Sequence, residues 1–247
     1  MKKLFLIFLL SSIFAISSFS KGMPSEYYEI KTVKESKKYF FEYIYKLIEN
    51  ENLKILNERK FVKNILSSNI LNINMNSKEF AKLLEIKKRY RIKKIYDLNE
   101  YMRKIDIVPP SMALAQAAVE SGWGKSRFIK EANNIFGHWT YNPEIGMIPK
   151  QRDEGANHFI RIFKTLQDSI SAYILNLNRN RAYKLFQNTR LQERKNNKNP
   201  SGLVLSNTMI NYSGIGEEYL MILEDMIVKN KLSNYDKRFY QKLNTKK

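Results

Sequence analysis

Ala115-Gln116-Ala117-Ala118-Val119-Glu120-Ser121-Gly122-Trp123-Gly124 is the stretch on which the reading of this chain turns. Alanine-rich sequence favours helix, and glycine just past the last turn is the usual stop signal. Glu120 is therefore predicted to project from a helix end, with no side-chain bulk from the glycines over it. Trp123 offers an apolar wall that would desolvate the carboxyl group and hold it protonated near neutral pH. A general acid requires such surroundings. A glutamate in a last helical turn is otherwise an ordinary solvated residue, so this stretch alone does not decide the chemistry.

Upstream, Pro109-Pro110 breaks the chain, and proline suits a helix's first turn. Leu114, Ala115, Ala117 and Ala118 put small apolar residues on most faces of the helix that follows, which predicts a tightly surrounded central helix. Residues 23–106 are charged, free of glycine and helical in pattern. Thr32-Val33-Lys34-Glu35 has the capping-box form, and Phe40, Phe41, Ile44, Leu47 and Ile48 recur at helical spacing. A further helix is expected over 54–65, another over 78–91 capped by Ser77, and a short one capped by Asp97 and running through Tyr101. The aromatic residues of this region follow the helical period and are read as core.

Downstream, a short helix is predicted over 126–132. Residues 133–163 then crowd glycine, proline, asparagine and aromatics together, and they form the one β-rich island. Asn133 to Trp139 reads as a loop. Residues 159–163 read as a strand, with 146–149 as its partner. Thr165-Leu166-Gln167-Asp168 is another capping box. Helices are expected over 166–177, 181–193, 203–212 and 217–229, with a polar loop over 195–202. Residues 233–247, polar and lysine-rich, are expected to be a flexible basic tail. The fold class that emerges is α+β, mostly helical.

Residues 1–20 read as a secretory signal: Lys2 and Lys3 start it, residues 4–16 are nearly all apolar, and Ser18-Phe19-Ser20 is a small-x-small cleavage site. The apolar run is short for a membrane span, so no stable insertion is expected after cleavage. The chain has no cysteine, which excludes a lipid-modified N-terminus and leaves stability to the core rather than to disulfides. The formal net charge is +19; without the leader's two lysines, +17 remains. That balance favours acidic polymers or anionic surfaces. Export makes cell-wall polymer or lipid headgroups the expected partner rather than nucleic acid, whose signature of a basic face with interleaved aromatics is missing.

The two histidines, His138 and His158, do not have metal-ligand spacing, and no cysteine joins them. No metal or cofactor is expected. Neither a G-x-S-x-G elbow nor a phosphate-cradling glycine loop occurs. Carboxylate chemistry is what remains.

Val108-Pro109-Pro110, the run from Ala115 to Gly124, Ser126-Arg127-Phe128 and Asn133-Asn134-Ile135-Phe136-Gly137 together resemble the bacterial glucosaminidases. These are the peptidoglycan N-acetylglucosaminidases of glycoside hydrolase family seventy-three, also described as mannosyl-glycoprotein endo-β-N-acetylglucosaminidase-like. Within them the chain most resembles the exported Bax-type proteins. Asn176-Leu177-Asn178, Ala182-Tyr183 and Tyr212-Ser213-Gly214-Ile215-Gly216-Glu217-Glu218-Tyr219 extend the likeness, which covers residues 95–232 and leaves 21–94 as an N-terminal helical extension.

The resemblance implies a lysozyme-like fold, with a helical lobe and a small β-hairpin lobe around a glycan groove. It implies that Glu120 protonates the glycosidic oxygen. It also implies that Tyr212 lines the site and holds water or the acetamido group; the alternative for Tyr212 is a core aromatic. Glycosidases usually use two carboxyl groups. Glu144, Asp153 and Glu154 lie in or beside the β island, with Glu154 and Glu144 as the candidates for the second, unless the substrate's own acetamido group serves instead. Trp123, Phe136, Trp139 and Tyr141 are candidates for a sugar-stacking platform, and Asn134 for an acetamido contact or a loop brace. Arg127 would meet an anionic group or form a structural ion pair. The expected activity is hydrolysis of β-1,4 bonds after N-acetylglucosamine in peptidoglycan strands. The rivals are a lytic transglycosylase and a non-catalytic wall-binding or assembly protein.

Overall fold

The computed structural model describes residues 21–67, 73–150, 155 and 157–245. The expected leader over 1–20 and the carboxylates of Asp153 and Glu154 lie outside the described residues. The fold is mostly helical α+β and lysozyme-like, with a small sheet inserted between two helical blocks.

A short helix, α1 (Ser25–Glu29), precedes α2 (Val33–Ser67). The latter takes in both the first predicted helix and the one expected over 54–65, because no glycine or proline interrupts the run. Thr32 and Glu35 close its first turn, with Thr32 Oγ1 donating to Glu35 Oε2 at 2.6 Å and accepting from Glu35 N at 3.3 Å. Phe40, Phe41, Ile44, Ile48, Ile55 and Val62 are its buried stripe. Ser77 caps α3 (Lys78–Arg89) and Asp97 caps α4 (Leu98–Lys104), both through side-chain oxygens.

The central helix is α5 (Pro110–Ser121), and it is buried at nearly every position as far as Ala118. Four helices pack around it: α2, α9 (Gly202–Ser206), α10 (Glu217–Lys229) and α11 (Ser233–Asn244). Such close packing favours small side chains at most positions, Met112, Leu114 and Gln116 excepted, which explains the alanines. Gly202 sits at the closest approach: a Cβ there would lie 1.9 Å from Ser111 Oγ and 2.7 Å from Met112 N. The chain entering α5 is equally fixed. Asn52 of α2 donates to Val108 O at 2.8 Å and accepts from Val108 N at 3.1 Å.

Beside this entry Asp106 is buried. Burial opposes its charge, but Arg194, Arg59 and Arg190 around it overcome that opposition and hold the carboxyl below its usual range. Arg194 forks onto both its oxygens at 3.1 and 3.0 Å. The fully buried Arg190 gives its amino groups to five acceptors, among them Asp106 O, Ile107 O and Asn178 Oδ1.

The β island is a three-stranded antiparallel sheet rather than a lone hairpin. Its strands are β1 (Trp139–Thr140), β2 (Gly146–Met147) and β3 (Phe159–Arg161), in the order β1-β3-β2. Ile160 at its centre faces both Trp139 and Met147. The sheet is tied back to α6 (Arg127–Ala132) by Phe163 N–H donating to Ala132 O at 2.8 Å. The capping box at Thr165 and Asp168 then starts α7 (Leu166–Arg179), and α8 (Lys184–Lys195) follows a 3-10 turn over Arg181–Tyr183.

Two expectations are corrected. The helix expected over 203–212 stops at Ser206. There Ser206 Oγ and Thr208 Oγ1 donate to Leu203 O at 2.9 Å and Leu205 O at 2.6 Å, taking carbonyls a longer helix would use. The residues expected as a flexible tail instead form α11, which buries Asp236, Phe239 and Tyr240 against the rest of the fold. Polar composition hid this, because the apolar residues of α11 are few and its main anchor is a carboxylate. Among the described residues no helix is long and apolar enough to cross a membrane.

Candidate active site

Glu120 lies half-buried in the last turn of α5. The turn behind it keeps three successive residues in the left-handed region: Gly122 (φ 55°), Trp123 (φ 59°) and Gly124 (φ 75°). For a tryptophan this backbone is strained and must be held from outside. The N-terminal segment does so, with Tyr27 Oη donating to Trp123 O and Tyr28 Oη to Gly124 O at 3.1 Å. A side chain at 124 would strike Met23, 2.9 Å away, so glycine is required there on two counts.

The carboxyl group of Glu120 is met by tyrosines. Tyr219 of α10 donates from Oη to Glu120 Oε1 at 2.6 Å. Gln116, one turn earlier on α5, donates from Nε2 to Tyr219 Oη at 3.1 Å, and Tyr173 of α7 donates to Gln116 Oε1 at 2.5 Å. Tyr219 stacks on Tyr212, with ring centroids 5.6 Å apart and planes 6° off parallel. Tyr212 in turn meets Tyr173 and Tyr183 at 6.3 and 6.0 Å. Burial pushes the Glu120 carboxyl above its usual range, with the Tyr219 hydrogen bond opposing. Burial, together with neighbouring groups that include Glu120, raises the phenols of Tyr173, Tyr183, Tyr212 and Tyr219. The result is a carboxyl group tuned to keep its proton to higher pH, ringed by neutral hydroxyls.

Tyr212 is thus brought to Glu120, half-buried, and its hydroxyl has no hydrogen-bond partner among the described residues. Trp123 is placed differently from the wall expected over Glu120. Its ring packs on Phe40 and Phe41 of α2, at 5.9 and 5.2 Å, with Lys37 Nζ 4.5 Å above it. Phe136 is buried and stacks on Tyr173 at 3.8 Å, so it steadies the tyrosine network from behind.

Asn134 is a loop brace: Nδ2 donates to His138 O at 2.8 Å and Arg161 O at 2.9 Å, and Oδ1 accepts from His138 N at 2.9 Å. Arg127 pairs with Glu131 at 2.8 Å. Trp139 and Tyr141 stand out on the β-lobe, 61% and 76% exposed, with Trp139 stacked on His158 at 4.2 Å. Glu144 is exposed in a 3-10 turn, Pro143–Ile145.

His138 is half-buried, and burial followed by the charge of Arg161 lowers it to about 4. No group of three or more metal-ligating side chains occurs among the described residues. Two surface depressions, about 400 Å³ beside α1 and α2 and about 290 Å³ beside the sheet, have linings that include neither Glu120 nor its tyrosines.

Sequence reasoning gave Tyr219, Gln116 and Tyr173 no role of their own. A signal existed in Gln116, a lone amide among alanines four residues before Glu120 and hence on the same face of the helix. Nothing in the spacing pointed to Tyr173, because it reaches the site across a tertiary contact.

A half-buried acid at a helix end, ringed by aromatic residues in a lysozyme-like fold, is a glycoside hydrolase-like arrangement. The family profile described as mannosyl-glycoprotein endo-beta-N-acetylglucosaminidase matches residues 95–243, and the chain belongs to this glucosaminidase family. Among curated proteins it is similar to Protein bax of Escherichia coli (strain K12), 31% identical over 188 residues. That match covers 74% of this chain and 65% of the relative, so the chain spans just under two thirds of that protein's length. No solved structure matches the chain.

Proposed function

We propose that the protein is an exported peptidoglycan hydrolase, an endo-β-N-acetylglucosaminidase that cleaves β-1,4 bonds after N-acetylglucosamine, with Glu120 as general acid. The observation that carries this reading is the Glu120 carboxyl itself. It is half-buried, raised in pKa by that burial, and fixed by a phenol rather than by a basic residue. A carboxyl group kept protonated in this way can hand its proton to the departing glycosidic oxygen, leaving positive charge to develop at the anomeric carbon.

Tyr212, stacked on the Tyr219 ring that meets Glu120 and without a hydroxyl partner among the described residues, is proposed to hold the attacking water or the acetamido group. The exposed Trp139 and Tyr141 offer ring faces for the apolar C–H faces of neighbouring sugars. Glu144, and Glu154 beyond the described residues, remain the proposed second carboxylates; substrate assistance by the acetamido group would need neither. The leader over 1–20 would deliver the protein to the periplasm or the exterior, where a formal charge of about +17 favours residence on anionic wall polymers.

The test is digestion of purified peptidoglycan with the protein and with Glu120→Gln, read by reducing ends and mass spectrometry. The reading expects new reducing N-acetylglucosamine ends, reduced at least about a thousandfold in the variant, the order of loss expected when a general acid goes. Products ending in 1,6-anhydro sugars would make it a lytic transglycosylase, and a folded Glu120→Gln protein of full activity would sink the assignment of the acid.

A further inference from the structure

The hydrogen bonds behind Glu120 run in one direction, and that direction distinguishes its two oxygens. Tyr173 Oη donates to Gln116 Oε1 at 2.5 Å. An amide oxygen only accepts, so Gln116 presents its Nε2 to Tyr219 and donates to that hydroxyl at 3.1 Å. The hydroxyl of Tyr219, now an acceptor toward Gln116, turns its own proton to Glu120 Oε1 at 2.6 Å. Reversing the Gln116 amide would leave the buried Tyr173 proton without an acceptor among the described residues.

The rings that carry these hydroxyls are themselves locked, Tyr173 against Phe136 at 3.8 Å and Tyr219 against Tyr212 at 5.6 Å. We infer that Tyr219, oriented by Gln116 and Tyr173, is a positioning residue that pins Glu120 through Oε1 and leaves Oε2 as the oxygen that carries and delivers the proton. The inference rests on Glu120 being the general acid, and it adds which oxygen acts and what aims it.

The groups facing Glu120 are few. Tyr219 comes from α10, Tyr173 from α7, Tyr183 from the 3-10 turn and Tyr212 from the loop after α9. No ion-pair partner from α2, α9 or α11 reaches it among the described residues. Donation from Tyr219 stabilises the carboxylate and opposes the upward push of burial. Removing that donor must therefore raise the carboxyl further, whereas losing an acceptor of the carboxyl's own proton would lower it.

Tyr219→Phe in the full chain removes the hydroxyl and keeps the ring stack. With ¹³C-labelled glutamate, the Glu120 carboxyl titration followed by NMR is expected to rise by about one pH unit, the worth of one hydrogen bond to a charged acceptor. The basic limb of kcat/KM on peptidoglycan is expected to rise with it, while kcat falls about tenfold or more and KM changes little.

A midpoint and a limb that stay in place in the folded variant would overturn the inference. So would a midpoint that falls, since it would mean that Glu120 donates to Tyr219 through Oε1. Gln116→Met supplies the same sign test should the first variant fail to fold: loss of the donor behind Tyr219 raises the midpoint, and a held or lowered midpoint refutes the proposed direction. The NMR reading needs no turnover. An active Glu120→Gln protein would defeat the general-acid reading and leave the proton direction to be judged on its own.

Discussion

Replacing Asp236 with asparagine tests whether the last helix holds the helix that carries Glu120. Asp236 Oδ1 accepts from Ser111 N at 2.8 Å, and Oδ2 accepts from Ser111 Oγ at 2.7 Å and Gly202 N at 3.0 Å. One carboxylate thus joins α11 to the first turns of α5 and α9. Asparagine has the same shape but a single oxygen. Whichever way its amide faces, an NH2 group meets one of the two backbone N–H donors. A hydrogen bond to a charged acceptor is worth about 1.5–3 kcal/mol, and a stranded buried donor costs about 1–3 kcal/mol.

Burial pushes the Asp236 carboxyl up, with the three donors opposing, so removing the charge returns part of that loss. The net is a destabilisation of about 2–4 kcal/mol, or a Tm lowered by roughly 5–15 °C for a chain of this size. Because the folded carboxyl titrates above its unfolded value, the stability from this group is fullest at low pH and declines as pH rises through the folded midpoint. The gap between wild type and variant therefore widens as pH is lowered. Thermal melts followed by circular dichroism at two pH values read both effects. A variant melting within about 1 °C of wild type would refute the reasoning and return residues 233–247 to the loose tail their composition suggests.

Two further outcomes are expected. Trp139→Ala combined with Tyr141→Ala removes exposed rings, so stability should stay within about 0.5 kcal/mol of wild type while KM for polymeric glycan rises several-fold; an unchanged KM on long strands would remove these rings from the substrate path. His138, held neutral down to about 4, lets the unfolded chain take up a proton first as pH drops below its ordinary value. About 3 kcal/mol of stability is then lost between roughly pH 6.5 and 4, and His138→Phe should flatten that part of a urea-midpoint profile measured across the window.

Capping signals and small-residue patterning made the helices legible. Thr32, Ser77, Asp97 and Thr165 each start a helix through the side-chain oxygen their identity promised. The alanines of α5 announced a crowded helix. What escaped was long-range: the C-terminal helix is anchored by one carboxylate 125 residues from its partner, a contact without a local signature. The same holds for the site. Glu120 could be singled out because its own neighbours shape its end of the helix, yet the groups that tune it arrive from α7 and α10. Trp123 was expected at the acid because it is three residues away in sequence, but its left-handed backbone aims the ring at α2 instead.

The family match begins at residue 95, but the protein has no seam there. Asn52 supplies both hydrogen bonds that set the entry to α5, and Phe40, Ile44 and Ile48 sit in the same continuous core as Ala115 and Ala118. A fragment trimmed to the matched residues would begin life with a bare apolar wall and two unanswered backbone groups at its centre. The stretch the family profile matches is therefore smaller here than the unit of folding, and shortened versions made for study have to begin ahead of the long helix.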